Sequence, residues 1–263
     1  MKVPFLITDG SVTVYLRGQS YVINSSSSAA YSAAIEAIRA GNFDAIPEIV
    51  DRAKVIERSS GGKIEVRNNA VFYKGEQVHN YVVTKILQWI DQGISISPLV
   101  NFLERLLLNP SKNSVDQLYK FLEHGNMPID EDGFFYGYKG IRLDYMDVYS
   151  GKFDNHPGNK IECDRNKVCD DPAKGCAEGF HVGSHKYASH WGPRVVLVRV
   201  DPADVVSVPS DCNFQKLRTM RYVVVDECTG LMSDTFVKRD SFSNADSYDR
   251  DVDVELAFDW EFD

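Results

Sequence analysis

The sequence predicts an α+β fold in which strand-forming and helix-forming stretches are segregated along the chain. Three observations carry this. Two β-hairpin patterns lie within residues 1–77, a block of helical periodicity fills 78–127, and β-branched runs dominate 128–239. The expected architecture is a small N-terminal α+β unit, a central three-helix unit, a β-rich C-terminal domain and an acidic-aromatic tail over 240–263.

In the first unit, VTVYL (12–16) and SYVI (20–23) are joined by Arg17-Gly18-Gln19, a Gly turn between β-branched and aromatic runs. The serine run at 25–28 offers an N-cap to an Ala-rich helix that Gly41 ends. A second helix begins near Asp44 with Pro47 in its first turn. Ser59-Ser60-Gly61-Gly62 reads as a flexible joint before a second hairpin, KIEV and AVFY around Arg67-Asn68-Asn69.

The central unit shows three amphipathic stretches. Val82, Val83, Ile86, Leu87 and Ile90 form one stripe, and Leu99, Phe102, Leu103, Leu106 and Leu107 a second. Ser97-Pro98 starts the second helix and Asn109-Pro110 stops it. Ser114 and Gln117 have the spacing of a capping box, ahead of Val115, Leu118, Tyr119 and Leu122. Beyond Pro128, FFYGYKGIR, RVVLVRV, DVVSV and RYVVVDE read as strands, separated by a long acidic segment from Asp144 to Gly175.

Composition narrows the function classes. With 43% hydrophobic and 25% charged residues the chain is that of an ordinary globular protein. No apolar run of about 18 residues occurs, and the first residues are too polar for a secretory signal. Cys163, Cys169, Cys176, Cys212 and Cys228 form no framework, so free thiols are expected. The net charge of -9 is concentrated: between residues 240 and 263 nine acids face Arg250 alone. The body is then nearly neutral, and bulk nucleic-acid binding is not expected. In the tail, acids interleave with Phe258, Trp260 and Phe262, the candidate partner-binding residues. The period-two apolar pattern from Val252 to Phe262 also fits a last strand, and both readings stay open.

The stretch CAEGFHVGSHKYASHW (176–191) concentrates ligand chemistry in Cys176, His181, His185 and His190. His181 and His185 are four apart, a shared helical face. Gly179 and Gly183 instead argue for a strand and turn exposing His181, with a short helix from about Ser184 that carries Tyr187 and Trp191. The imidazoles then diverge and no metal is expected. Sequence spacing sets no geometry for a Cys176–His181 pair, so no catalytic residue is assigned. The aspartates of the acidic segment lack EF-hand spacing and read as a solvated loop.

PIDEDGFFYGYKGIRLDYMDVYSGKFDN, RNKVCDDPAKGCAEGFHVGSHKYA and VRVDPADVVSVPSDCNFQKLRTMRYVVVDE occur in that order after the helical LVNFLERLLLNPSKNSVDQLYKFLEHGNMPI. This series, over about residues 80–230, resembles the rIIB-like proteins of tailed bacteriophages. The resemblance implies a phage early protein linked to lysis timing and to overcoming host exclusion systems. It is expected to bind a host bacterial protein without catalysis and without a cofactor. An rIIA-like phage partner and self-association are further expectations, as is a place in the host cytoplasm or at the periphery of the inner membrane. A second likeness is to ADP-ribosyltransferase folds. Tyr138-Lys139-Gly140, then His181 with Ser184 and Tyr187, then Glu227 are similar to that fold's three signatures in order, with Lys139 where Arg or His is usual. Tyr138, Lys139, His181, Ser184, Tyr187 and Glu227 are therefore the candidate ligand-binding residues. The alternative function is a nucleotide-binding or transferase-like enzyme, which requires Lys139, His181, Tyr187 and Glu227 to converge on one pocket.

Overall fold

Arg17 and Gly18 adopt positive φ, 52° and 82°, and so turn the first hairpin tightly enough for its strands to pair. The structure, a computed structural model, describes residues 3–68, 70–125, 127–228, 230–232 and 236–238. The tail at 240–263, with Phe258, Trp260 and Phe262, lies outside the described residues. Two compact units are present, Met1–Val100 and Asn101–Asp263. The boundary falls inside the stretch expected to form one helical unit.

In the first unit, β1 (Phe5–Ile7), β2 (Ser11–Leu16) and β3 (Gln19–Asn24) form an antiparallel sheet in that order. Alternation along β2 sends Val12, Val14 and Leu16 inward. They meet α1 (Ser28–Arg39), whose Ala34, Ala37 and Ile38 share a core with Ile46. The second helix is short and has Pro47 in its first turn. α2 (Ile46–Val50) stops at Asp51, whose carboxylate accepts the backbone N–H groups of Ala53 and Lys54 and so caps α3 (Arg52–Ser59). The expected joint at 59–62 is a built corner. Ser60 is buried, donates to the Glu57 carbonyl and accepts the Ile64 N–H. β4 (Ile64–Arg67), β5 (Ala70–Tyr73) and β6 (Glu76–Gln77) follow as a second antiparallel sheet, turned at Asn68. α4 (Asn80–Asp91) buries Val82, Lys85, Ile86 and Trp89, so its inner face is rotated from the predicted stripe toward the largest side chain.

The unit boundary lies within α5 (Ser97–Leu106). In the second unit, α6 (Lys112–Gly125) starts three residues earlier than the capping box implies. Ser111 accepts the Ser114 N–H, which releases Ser114 and Gln117 for other work. The Ser114 hydroxyl donates to the Val206 carbonyl at 2.6 Å and Gln117 accepts the Val208 N–H at 2.8 Å. These bonds tie α6 to the outer strand of the sheet.

That sheet comprises β7 (Ile129–Asp130), β8 (Phe135–Ile141), β9 (Lys160–Glu162), β10 (Phe180–Gly183), β11 (Arg194–Val200), β12 (Val205–Ser207), β13 (Lys216–Thr219), β14 (Arg221–Glu227) and β15 (Phe236–Val237). Its main path is β12-β13-β10-β8-β11-β14-β9, all antiparallel, while β7 pairs β8 and lies parallel to β15. The four predicted strands correspond to β8, β11, β12 and β14. β9 and β13 went unread because three or four residues give too short a pattern. One helix, α7 (His185–Trp191), joins β10 to β11. Gly140 and Gly192 set its closeness: a Cβ on Gly140 would stand 2.2 Å from the Ala188 carbonyl oxygen, and one on Gly192 2.4 Å from the Ile141 nitrogen. Both glycines are therefore required by backbone-to-backbone contact.

Candidate functional site

β8, β10 and α7 together bring four predicted residues to one cavity of about 300 Å³. Tyr138 and Lys139 come from β8, His181 from β10 and Tyr187 from α7. Aromatic and aliphatic groups make up most of the wall, including Phe153, Phe180, Trp191 and Tyr222. Gly183 permits the arrangement, since a Cβ there would lie 2.4 Å from the Tyr187 ring.

His181 is not the exposed imidazole expected from the sequence. It stands directly opposite Arg218 on β13, and the Arg218 Nε–H donates to its Nε2 at 3.2 Å. Burial, reinforced by Lys139, Arg218 and Lys216, pushes its pKa down to about 3. The ring is neutral, and with Nε2 accepting, its proton sits on Nδ1. Lys139 donates from Nζ to the His181 carbonyl at 3.1 Å and lies over the Tyr222 ring. Burial lowers its pKa to about 8, against the opposing pull of Asp147. Asp147 is itself raised by burial, but the N–H groups of Phe153 and Ser150, the Ser150 hydroxyl and Lys139 outweigh this and hold it below the usual carboxylate range. Burial raises Tyr187 and Tyr222, so both phenols stay protonated.

The other two candidates are placed elsewhere. Ser184 accepts the Tyr187 N–H as the N-cap of α7, and its hydroxyl donates to Gln215. Glu227, at the end of β14, is held by Arg194 and the Tyr145 hydroxyl and does not line the cavity. Sequence reasoning missed Asp147, Lys216 and Arg218. Lys216 and Arg218 alternate in KLRT, a period-two signal too short to stand out. Arg218 is fully buried and acts on the cavity through His181. Besides His181 it donates to the Ser207 hydroxyl and to the carbonyls of Cys169, Asp171, Lys174 and Gly175. Among the described residues no group of three or more His, Cys, Asp or Glu side chains is arranged to hold a metal. The five cysteines are free, and Cys176 is the exposed one.

The protein-family comparison covers the site and both units: the family model described as "Bacteriophage T4 protein rIIB" matches residues 2–231. The chain belongs to the rIIB family. Protein rIIB of Enterobacteria phage T4 is 32% identical over 221 residues, 83% of this chain and 71% of that protein. The match extends the resemblance read over about 80–230 to the N-terminal unit, whose sheet and helices carry no short motif that stands out by eye. No solved structure matches this rIIB-family chain. Among the described residues no helix is long and apolar enough to cross a membrane.

Proposed function

We propose that this rIIB-family chain acts in the infected bacterium by binding and blocking a host component without turnover. Host takeover, defence evasion and lysis timing are the processes such a blocker would serve. A bacterial protein is its target, with an rIIA-like phage protein or a second copy of the chain as further partners. Host cytoplasm or the inner-membrane periphery is its place of action. The observation that supports binding over catalysis is the position of Glu227, committed to Arg194 and Tyr145 while Lys139, His181 and Tyr187 line the cavity. A transferase would need that carboxylate beside the other three.

The test is stoichiometric. Full-length protein is used to capture its target from bacterial lysate, and the captured protein's activity is titrated against it. A blocker inhibits to a plateau set by the molar ratio. Complete inactivation by a small fraction of an equivalent, progressing with time, would mean turnover and sink the proposal.

A second reading, the nucleotide-binding or ADP-ribosyltransferase-like enzyme, is favoured by the convergence of Tyr138, Lys139, His181 and Tyr187 on one cavity. Transfer or hydrolysis of a nicotinamide dinucleotide by purified protein is its direct assay.

A further inference from the structure

Among the described residues, two polar groups of the cavity carry hydrogens that no acceptor takes. An ammonium has three N–H donors, and Lys139 spends one on the His181 carbonyl. His181 accepts Arg218 at Nε2, and among the described residues no acceptor takes the hydrogen on its Nδ1. The carboxylate in the wall does not meet this need. Asp147 already accepts the N–H groups of Ser150, Lys152 and Phe153 and the Ser150 hydroxyl. Lys139, Lys216 and Arg218 supply more positive charge around the cavity than Asp147 and Asp211 cancel. Tyr149 and Trp191 also line the cavity and are 67% and 52% exposed, so aromatic side chains stand at its mouth within reach of a ligand.

We propose that the cavity binds a small aromatic anion, with its carboxylate or phosphate on the Lys139 ammonium and the His181 ring N–H and its flat body against Tyr149 and Trp191. Such a ligand supplies acceptors where donors are spare, and covers the exposed rings. The proposal uses the cavity of the second reading but does not require a nucleotide.

The experiment measures binding to the full chain by calorimetry and ligand-observed NMR. AMP and indole-3-acetate are the phosphate and carboxylate probes, with adenosine and indole as their uncharged counterparts. At pH 7 at least one anion binds about tenfold or more tightly than its counterpart, the size expected of a charge-assisted hydrogen bond. Lys139→Met removes that preference, and Trp191→Ala weakens anion and counterpart alike. At pH 9.5 the preference shrinks, because Lys139 loses its proton as pH rises past its lowered pKa. The groups facing Lys139 do not reverse this direction: His181 and Tyr222 are neutral at pH 7, Lys216 is paired with Asp211, Arg218 is bonded to His181 and to backbone carbonyls, and Asp147 stays ionised. If Lys139→Met does not fold, the pH comparison on unmodified protein decides. Equal affinity for anions and counterparts, or no binding by any of the four, overturns the proposal. Binding of indole-3-acetate with AMP silent removes the nucleotide reading and supports this one.

Discussion

Lys139 sits where an ammonium is costly, half-buried among rings, with a carbonyl as its hydrogen-bond partner. Its folded-state pKa is lowered, so at neutral pH the folded chain bears a penalty that the unfolded chain does not. Lys139→Met, close in volume and uncharged, is therefore expected to stabilise the protein by about 1 kcal/mol, a rise of about 2–4 °C in a thermal melt. A fall in the melting temperature would mean that the hydrogen bond to His181 outweighs burial. His181 acts in the same direction in a lower pH window. Its folded pKa is about 3, below the ordinary value of 6.5. Its contribution is fully present above pH 6.5 and is lost as pH falls toward 3, because the unfolded chain binds the extra proton. This group steepens acid denaturation by up to about 1.4 kcal/mol per pH unit across that window. His181→Asn should flatten the curve of stability against pH, as measured by urea unfolding between pH 4 and 7.

Elements hold the site through a few contacts that sequence patterns do not show. α7 rests on β8 because two glycines let backbone touch backbone. Gly140→Ala is expected to cost about 1–3 kcal/mol, since the new methyl meets a carbonyl that cannot move without lifting the helix. Trp191 and Tyr187 would shift with it, so tryptophan fluorescence should change at temperatures where the fold survives. β13 contributes differently, through one arginine that binds the segment from Cys169 to Gly175. Arg218→Lys should destabilise by about 2–4 kcal/mol, because an ammonium cannot reproduce the planar fork of donors. Hydrogen exchange in that segment should then rise before exchange elsewhere in the sheet. Uniform exchange would show that the segment is held by other means.

For the whole molecule, the contacts of α6 with β12 bear on where the chain can be divided. Asn109, Ser114 and Gln117 all bond to residues between Pro202 and Val208. A fragment starting near Ser97 is expected to fold and one starting at residue 128 to fail, as judged by cooperative melting. A stable 128–239 fragment, or clean proteolysis at 125–127, would instead support a helical unit over 78–127 separable from the β-rich domain. The tail provides a second division. Its sequence carries nine acids that repel one another, and on the docking reading its aromatics would be covered by a partner. Deleting residues 240–263 should leave the melt unchanged and weaken association with a target or between copies. An unfolded truncation would make the tail a core strand.

Local pattern alone determined the α+β class, the first hairpin, the seven-residue strands β8, β11 and β14 and the strand–cap–helix run from His181 through Ser184 to Trp191. Each rests on periodicity or turn chemistry contained within a dozen residues. Tyr138, Lys139, His181 and Tyr187 were also named from sequence, though by family likeness rather than by geometry. Tertiary structure decided the rest. Ser114 and Gln117 have the spacing of a cap, yet a neighbouring strand offers their polar atoms better-buried partners. Glu227 closes its strand in sequence but is held by Arg194 and Tyr145, outside the cavity. Arg218 and Asp147 matter only because pairing across β10 and β13, and the loop after β8, place them beside His181 and Lys139. Sequence separation bears no relation to distance across a sheet, so charge balance at this site exists only once the strands are ordered.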